Sequence, residues 1–131
     1  MIRLEQRLDD ELEHLVHATI GCCIEVHRAL GPGLLEDTYR KAICLELCAN
    51  GLCYETEKLI PVTYRGEFLC HQRLDLVVEQ KLLLEIKSVE RLAPIHHAQV
   101  RSYLRVSGFR VGMLMNFNVP VLPDGMRRIV C

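Results

Sequence analysis

Residues 71–87 read His71-Gln72-Arg73-Leu74-Asp75-Leu76-Val77-Val78-Glu79-Gln80-Lys81-Leu82-Leu83-Leu84-Glu85-Ile86-Lys87. Two short apolar runs flank three polar residues, which predicts two strands, Glu67–Val78 and Leu82–Lys87, joined by the turn Glu79-Gln80-Lys81. Charged residues interrupt both runs. Asp75 lies inside an apolar strand, and Glu85 and Lys87, two positions apart, share one face of the next. Nothing in strand propensity favours them there. Ionised groups beside a core are costly unless they are paired or bound to metal.

Working outward, Pro94 suits a first helical turn and Gly108 a terminator, so a helix is expected over Pro94–Ser107. The apolar segment 109–116 reads as a buried strand. The strand 82–87, this helix and that strand form a crossover unit, which should be parallel and right-handed. A last strand is expected over 127–131. Upstream of residue 67, Arg65-Gly66 suits a two-residue hairpin turn, and 53–64 alternates weakly around Pro61, as an edge strand or a bulge does. A helix is expected over 34–50, burying Leu35, Tyr39, Ala42, Ile43 and Leu47 and stopping at Asn50-Gly51. Before it, Leu4, Leu8, Leu12, Leu15, Thr19, Cys22, Val26 and Leu30 make one stripe on a long helix over 4–30, which Gly31-Pro32-Gly33 ends. The pattern is α/β: a mixed sheet of about five strands flanked by helices, with an N-terminal helical hairpin on one side.

The 131 residues suit a single domain, 1–131. Half are hydrophobic, a quarter are charged and tryptophan is absent, so the expected core is aliphatic. No apolar run could span a bilayer, and the first residues carry no apolar signal-peptide stretch; no membrane association and a cytoplasmic protein are expected. The seven cysteines are odd in number and irregularly spaced, as reduced thiols rather than a disulfide framework would be. Cys44, Cys48 and Cys53, with His14 and His17, lack a C-x-x-C pair, which weakens a zinc or iron–sulfur reading. A formal charge of -1 removes the global case for nucleic-acid binding, so a polyanion would need a local basic patch. His97, Arg101 and Arg105 provide a stripe on the third helix, with His96 and Arg91 nearby. It suits either a solvated face or a phosphate contact. No aromatic series accompanies it for base stacking.

The hairpin between the two charged strands can bring Asp75 and Glu85 together at its open end. Two carboxylates there repel unless a cation lies between them, and Mg²⁺, which prefers oxygen ligands, is the natural candidate. Lys87 would project into the same place, to hold an attacking water or to offset charge on a phosphate oxygen. An E-x-K triplet alone arises by chance about once in two chains of this length. The informative part is its placement after a strand carrying Asp75. A plain salt bridge among the three is the ordinary alternative.

Asp75 followed by Glu85-Ile86-Lys87 resembles the PD-(D/E)XK signature of restriction-endonuclease-like nucleases. Gly33-Leu34-Leu35-Glu36-Asp37-Thr38-Tyr39 matches the motif that names the GxxExxY family, a small branch of that superfamily. The similarity continues through Gln99 and Tyr103 and the strand ending in Asn116-Phe117, from about residue 15 to residue 130. It implies a restriction-endonuclease-like core and metal-dependent hydrolysis of nucleic acid, DNA before RNA, with Mg²⁺ or Mn²⁺. Asp75 and Glu85 would be metal ligands, the Ile86 carbonyl a third, Lys87 the catalytic lysine and Glu36 the additional N-terminal acid. Gln99 would sit near the metal or phosphate. Leu74 stands where the signature has proline. Glu36 also has an ordinary reading, as a carboxylate favoured in a first helical turn or pairing with Arg40 at i+4. Tyr39 reads as a packing residue. The runner-up function is a non-catalytic accessory domain that retains the fold and binds nucleic acid or protein, as a subunit of a larger complex; separately, the apolar stripe of the first helix could extend into a homodimer contact.

Overall fold

The computed structural model describes residues 7–131. Helix α1 (Asp10–Leu30) begins where Asp9, in extended backbone, accepts the Leu12 N–H at 2.8 Å, which satisfies one of the amides left free at a helix start. The apolar stripe extends the expected helix to residue 4. The Asp9 cap instead starts it at Asp10, Leu8 packs into the core from before the first turn, and Leu4 lies outside the described residues. The buried face is also rotated: Val16, Cys23 and His27 join Leu12, Thr19, Cys22 and Val26, while Leu30 is exposed. Helix α2 (Glu36–Ala49) buries Tyr39, Ile43 and Leu47 as their spacing predicts. Leu35 is its N-cap and is 80% exposed, so it is no part of that face.

Among the described residues, five strands follow the expected pattern closely. They are β1 (Tyr54–Tyr64), β2 (Glu67–Val78), β3 (Leu82–Lys87), β4 (Val111–Asn116) and β5 (Met126–Val130), with helix α3 (Pro94–Ser107) crossing between β3 and β4. They lie side by side in chain order; β3 and β4 are parallel and the other neighbours antiparallel. Pro61 sits on the edge strand β1, beside a register shift at Val62/Thr63, where its missing N–H costs no ladder bond. Arg65 and Gly66 both take positive φ, 53° and 81°, the conformation of a two-residue turn matched to strand twist. A 3₁₀ turn at Leu122–Gly125, absent from the sequence reading, delivers the chain to β5. Among the described residues, no helix is long and apolar enough to cross a membrane.

The sheet carries a core on each face. Leu76, Val78, Leu82, Leu84, Ile86, Met113 and Met115 pack under α1 and α2, while Leu74, Val77, Leu83, Leu114 and Ile129 pack with Val100 and Leu104 of α3. Helix and sheet approach closely there: a Cβ on Gly112 would lie 2.9 Å from Val100. Leu74 and Leu76 are two apart and should share a face, yet they enter opposite cores. Strand β2 therefore turns over at Asp75. On β1 the pairing skips Glu57, between Thr56↔Leu76 and Lys58↔Leu74, and Glu57 takes φ 53°. A non-glycine residue in that region carries local strain. Pairing of β2 with β3 stops at Leu76↔Leu84, so the sheet forks at the next position.

Candidate active site

Asp75 and Glu85 stand at that fork. The register would place them opposite one another, but backbone pairing has ended, and side chains take over its bonds. The Asp75 N–H donates to Glu85 Oε1 at 3.2 Å, and the Ile86 N–H donates to Asp75 Oδ2 at 3.2 Å. Glu85 is only 3% exposed. Its carboxyl is pushed up to about 8, first by burial and next by the negative charge of Asp75, with Lys87 pulling more weakly the other way. A buried acid facing a second acid favours its neutral form unless a cation intervenes.

Lys87, two residues on from Glu85, lies on the α3 side of the sheet and donates from Nζ to Gln99 Oε1 at 3.1 Å. One helical turn after Gln99 comes Tyr103. Burial raises its phenol, as do the charges of Glu85 and Asp75, and a bond with Gln99 opposes the shift. Tyr103 therefore lies within electrostatic reach of both carboxylates, a placement given no role by the sequence reading although its i+4 spacing from Gln99 carries the signal. The end of β3 is clamped from behind. Lys87 O accepts the Phe117 N–H at 2.9 Å. The buried Asn116 side chain accepts the Val89 N–H at 3.1 Å and donates to Val89 O at 3.0 Å.

A cleft of about 260 Å³ opens beside the fork, lined by Glu36, Asp37, Arg40, Glu57, Arg73, Asp75 and Ile86. Glu36 reaches it from the first turn of α2. Arg40 does not pair with Glu36 at i+4; it pairs with Asp37 and with Glu57, the latter at 3.2 Å. Among the described residues, no hydrogen bond or ion pair holds the Glu36 carboxylate, and no three His, Cys, Asp or Glu side chains converge at metal-binding distance. Asp75 meets Glu85 at the fork, and Glu36, Asp37 and Glu57 line the cleft beside Asp75, the last two paired with Arg40. The donor set is hard oxygen throughout, which suits Mg²⁺ or Mn²⁺ and not a thiophilic ion.

The structure thus brings together Asp75, Glu85, Ile86, Lys87 and Gln99, with Glu36 across the cleft. It does not bring His97, Arg101 and Arg105 to them. Each neighbour two positions from Gln99 lies roughly 160° round the helix, so His97 and Arg101 face away from the fork; Arg101 and Arg105 are exposed. A family model described as the PD-(D/E)XK nuclease superfamily matches residues 13–129. The chain belongs to the PD-(D/E)XK nuclease superfamily. No curated protein and no solved structure gives a match. Nucleases of this superfamily generally use divalent metals and bind nucleic acid, and the hard-oxygen donors at the fork fit such an ion.

Proposed function

We propose that the protein is a divalent-metal-dependent phosphodiesterase of nucleic acid, a single-domain member of the GxxExxY branch. The observation that carries this reading is the pair of reciprocal bonds at the sheet fork: they hold two acids face to face, and burial plus their mutual charge keep Glu85 largely protonated near neutral pH. A Mg²⁺ or Mn²⁺ ion bound there supplies charge neutralisation at the phosphate and activation of water. Asp75, Glu85 and the Ile86 carbonyl hold it, with Glu36 completing the oxygen donors from the far wall. Lys87 Nζ, kept in place by Gln99, donates to a phosphate oxygen or orients the attacking water. Arg73, 65% exposed at the cleft rim, offers a phosphate contact there. His97, Arg101 and Arg105 serve flanking nucleic acid further out, DNA before RNA.

The test is cleavage of single- and double-stranded DNA and RNA with Mg²⁺ or Mn²⁺, alongside Lys87→Ala and Glu85→Gln. Cleavage by the wild type alone supports the proposal. One observation favours an accessory binding domain instead: the cleft arginines are already occupied, Arg40 by Asp37 and Glu57 and Arg73 facing Glu57 at 3.7 Å. Nucleic-acid binding without cleavage on any substrate, with metal bound, would move the assignment there.

A further inference from the structure

The spacing of Gly33, Glu36 and Tyr39 puts a buried tyrosine one turn after Glu36, within reach of the loop before it. Gly33 takes φ 101° in the loop between α1 and α2, and Gly31 takes 68°; both lie where glycine is favoured. Tyr39, one turn into α2 from Glu36 and fully buried, sends its hydroxyl back to that loop. It donates to Gly31 O at 2.5 Å and accepts the Leu34 N–H at 3.1 Å. One side chain thus ties both ends of the turn.

Leu34 is also held from its other side, because Ser88 Oγ donates to Leu34 O at 2.6 Å. Ser88 directly follows Lys87. Lys87 O accepts the Phe117 N–H at 2.9 Å, and the Phe117 ring stacks on Tyr39 with centroids 4.6 Å apart and planes inclined by 25°. The contacts form a closed ring, Tyr39–Leu34–Ser88–Lys87–Phe117–Tyr39. Glu36 leaves this ring two residues after Leu34, and Glu85 and Ile86 enter it just before Lys87. The ring therefore fixes the distance between the two walls of the cleft.

We infer that Tyr39 is a positioning residue, which sets Glu36 against the Asp75–Glu85 fork by closing the Gly31–Leu34 turn onto the end of β3. The inference rests on the metal-binding reading above, and its readout is Mn²⁺ affinity, measured without substrate. Full-length wild type, Tyr39→Phe, Glu36→Gln and the double variant would be titrated with Mn²⁺ by calorimetry above pH 8, with a thermal melt of each. Tyr39→Phe keeps the stack and removes only the hydroxyl. Each single substitution should weaken Mn²⁺ binding about tenfold, and the double variant should be no weaker than Glu36→Gln alone, since Tyr39 acts only through Glu36. Ser88→Ala breaks the same ring at another link and should show the same coupling. Additive losses, or a lowered melt with Mn²⁺ affinity unchanged, would make Tyr39 a plain packing residue and overturn the inference. A wild type that binds no Mn²⁺ would overturn the metal reading itself, and this inference with it; the two failures appear in different proteins.

Discussion

Replacing Glu85 with Gln should stabilise the metal-free protein, increasingly so as the pH rises. Glu85 is 3% exposed, and its carboxyl is raised from 4.5 to about 8, by burial first and by Asp75 second. Between those values the folded chain holds a proton at this site that the unfolded chain has released. Stability from this group is therefore fully present below pH 4.5 and is lost as the pH rises through about 8. At about 1.4 kcal/mol per pH unit, the loss across this window is on the order of 5 kcal/mol, a large part of a small domain's whole stability. Gln has the same size, keeps an oxygen to accept the Asp75 N–H and never ionises. Urea unfolding of both proteins in a chelating buffer at pH 5, 6, 7 and 8 gives the difference directly, and other titrating groups cancel. The difference should be about 1 kcal/mol or less at pH 5 and reach a few kcal/mol in favour of Gln at pH 8. Saturating Mn²⁺ at pH 8 should restore the wild type alone, by mass action on the folded state. A difference that stays flat with pH would refute the buried, proton-linked carboxyl and weaken the fork as a cation site.

The same proton must leave when a cation binds, so Mn²⁺ affinity should rise about tenfold per pH unit below about 8 and level off above it; calorimetry in buffers of different ionisation enthalpy reads the proton released. Gly125→Ala would place a Cβ 2.2 Å from Asn116 O, backbone that cannot yield cheaply, and should cost at least ~2 kcal/mol in urea unfolding while weakening the Asn116 clamp behind Lys87. Removing both Arg101 and Arg105, on the outer side of α3, should reduce the salt slope of long-DNA binding by about two and leave cleavage of a short substrate unchanged. An unaltered slope would assign the stripe to solvent.

The parts of this structure that were legible in the sequence are those with a local chemical signal. Arg65-Gly66, Pro94 and Gly108 mark their turn and helix ends, which gives the start of β2 and both ends of α3, and the polar turn Glu79-Gln80-Lys81 separates β2 from β3. Asp75, Glu85 and Lys87 were legible because charge inside an apolar strand is costly. The apolar period carries α1 too far upstream because it says nothing about where a helix begins; the Asp9 side chain decides that. The turnover of β2 was illegible for a different reason. Alternation puts Leu74 and Leu76 on one face, and the irregularity that accompanies their separation is an unpaired Glu57, opposite Asp75 on the neighbouring strand, with a positive φ for which that residue has no preference. The basic stripe on α3 shows the limit of helical spacing, which groups His97, Arg101 and Arg105 but cannot say which way the group points. That is set by Val100 and Leu104, which bury the adjoining face.

The fork also changes how the acids should be tested. An alanine scan treats Asp75 as a metal ligand only, yet its Oδ2 is the acceptor for the N–H of Ile86, a residue 1% exposed. Asp75→Ala removes that acceptor where the sheet no longer supplies one, and an unsatisfied buried amide costs about 1–3 kcal/mol. Asp75→Asn keeps an oxygen for Ile86 and can offer its amide to Glu85, while it deletes the charge. Both variants should lose Mn²⁺ affinity and cleavage, but Asp75→Asn should melt clearly above Asp75→Ala. If the two melt together, the Ile86 bond contributes nothing to the fold, and the fork is held by the surrounding core alone. If Asp75→Asn retains full Mn²⁺ affinity, its charge is not what the cation reads.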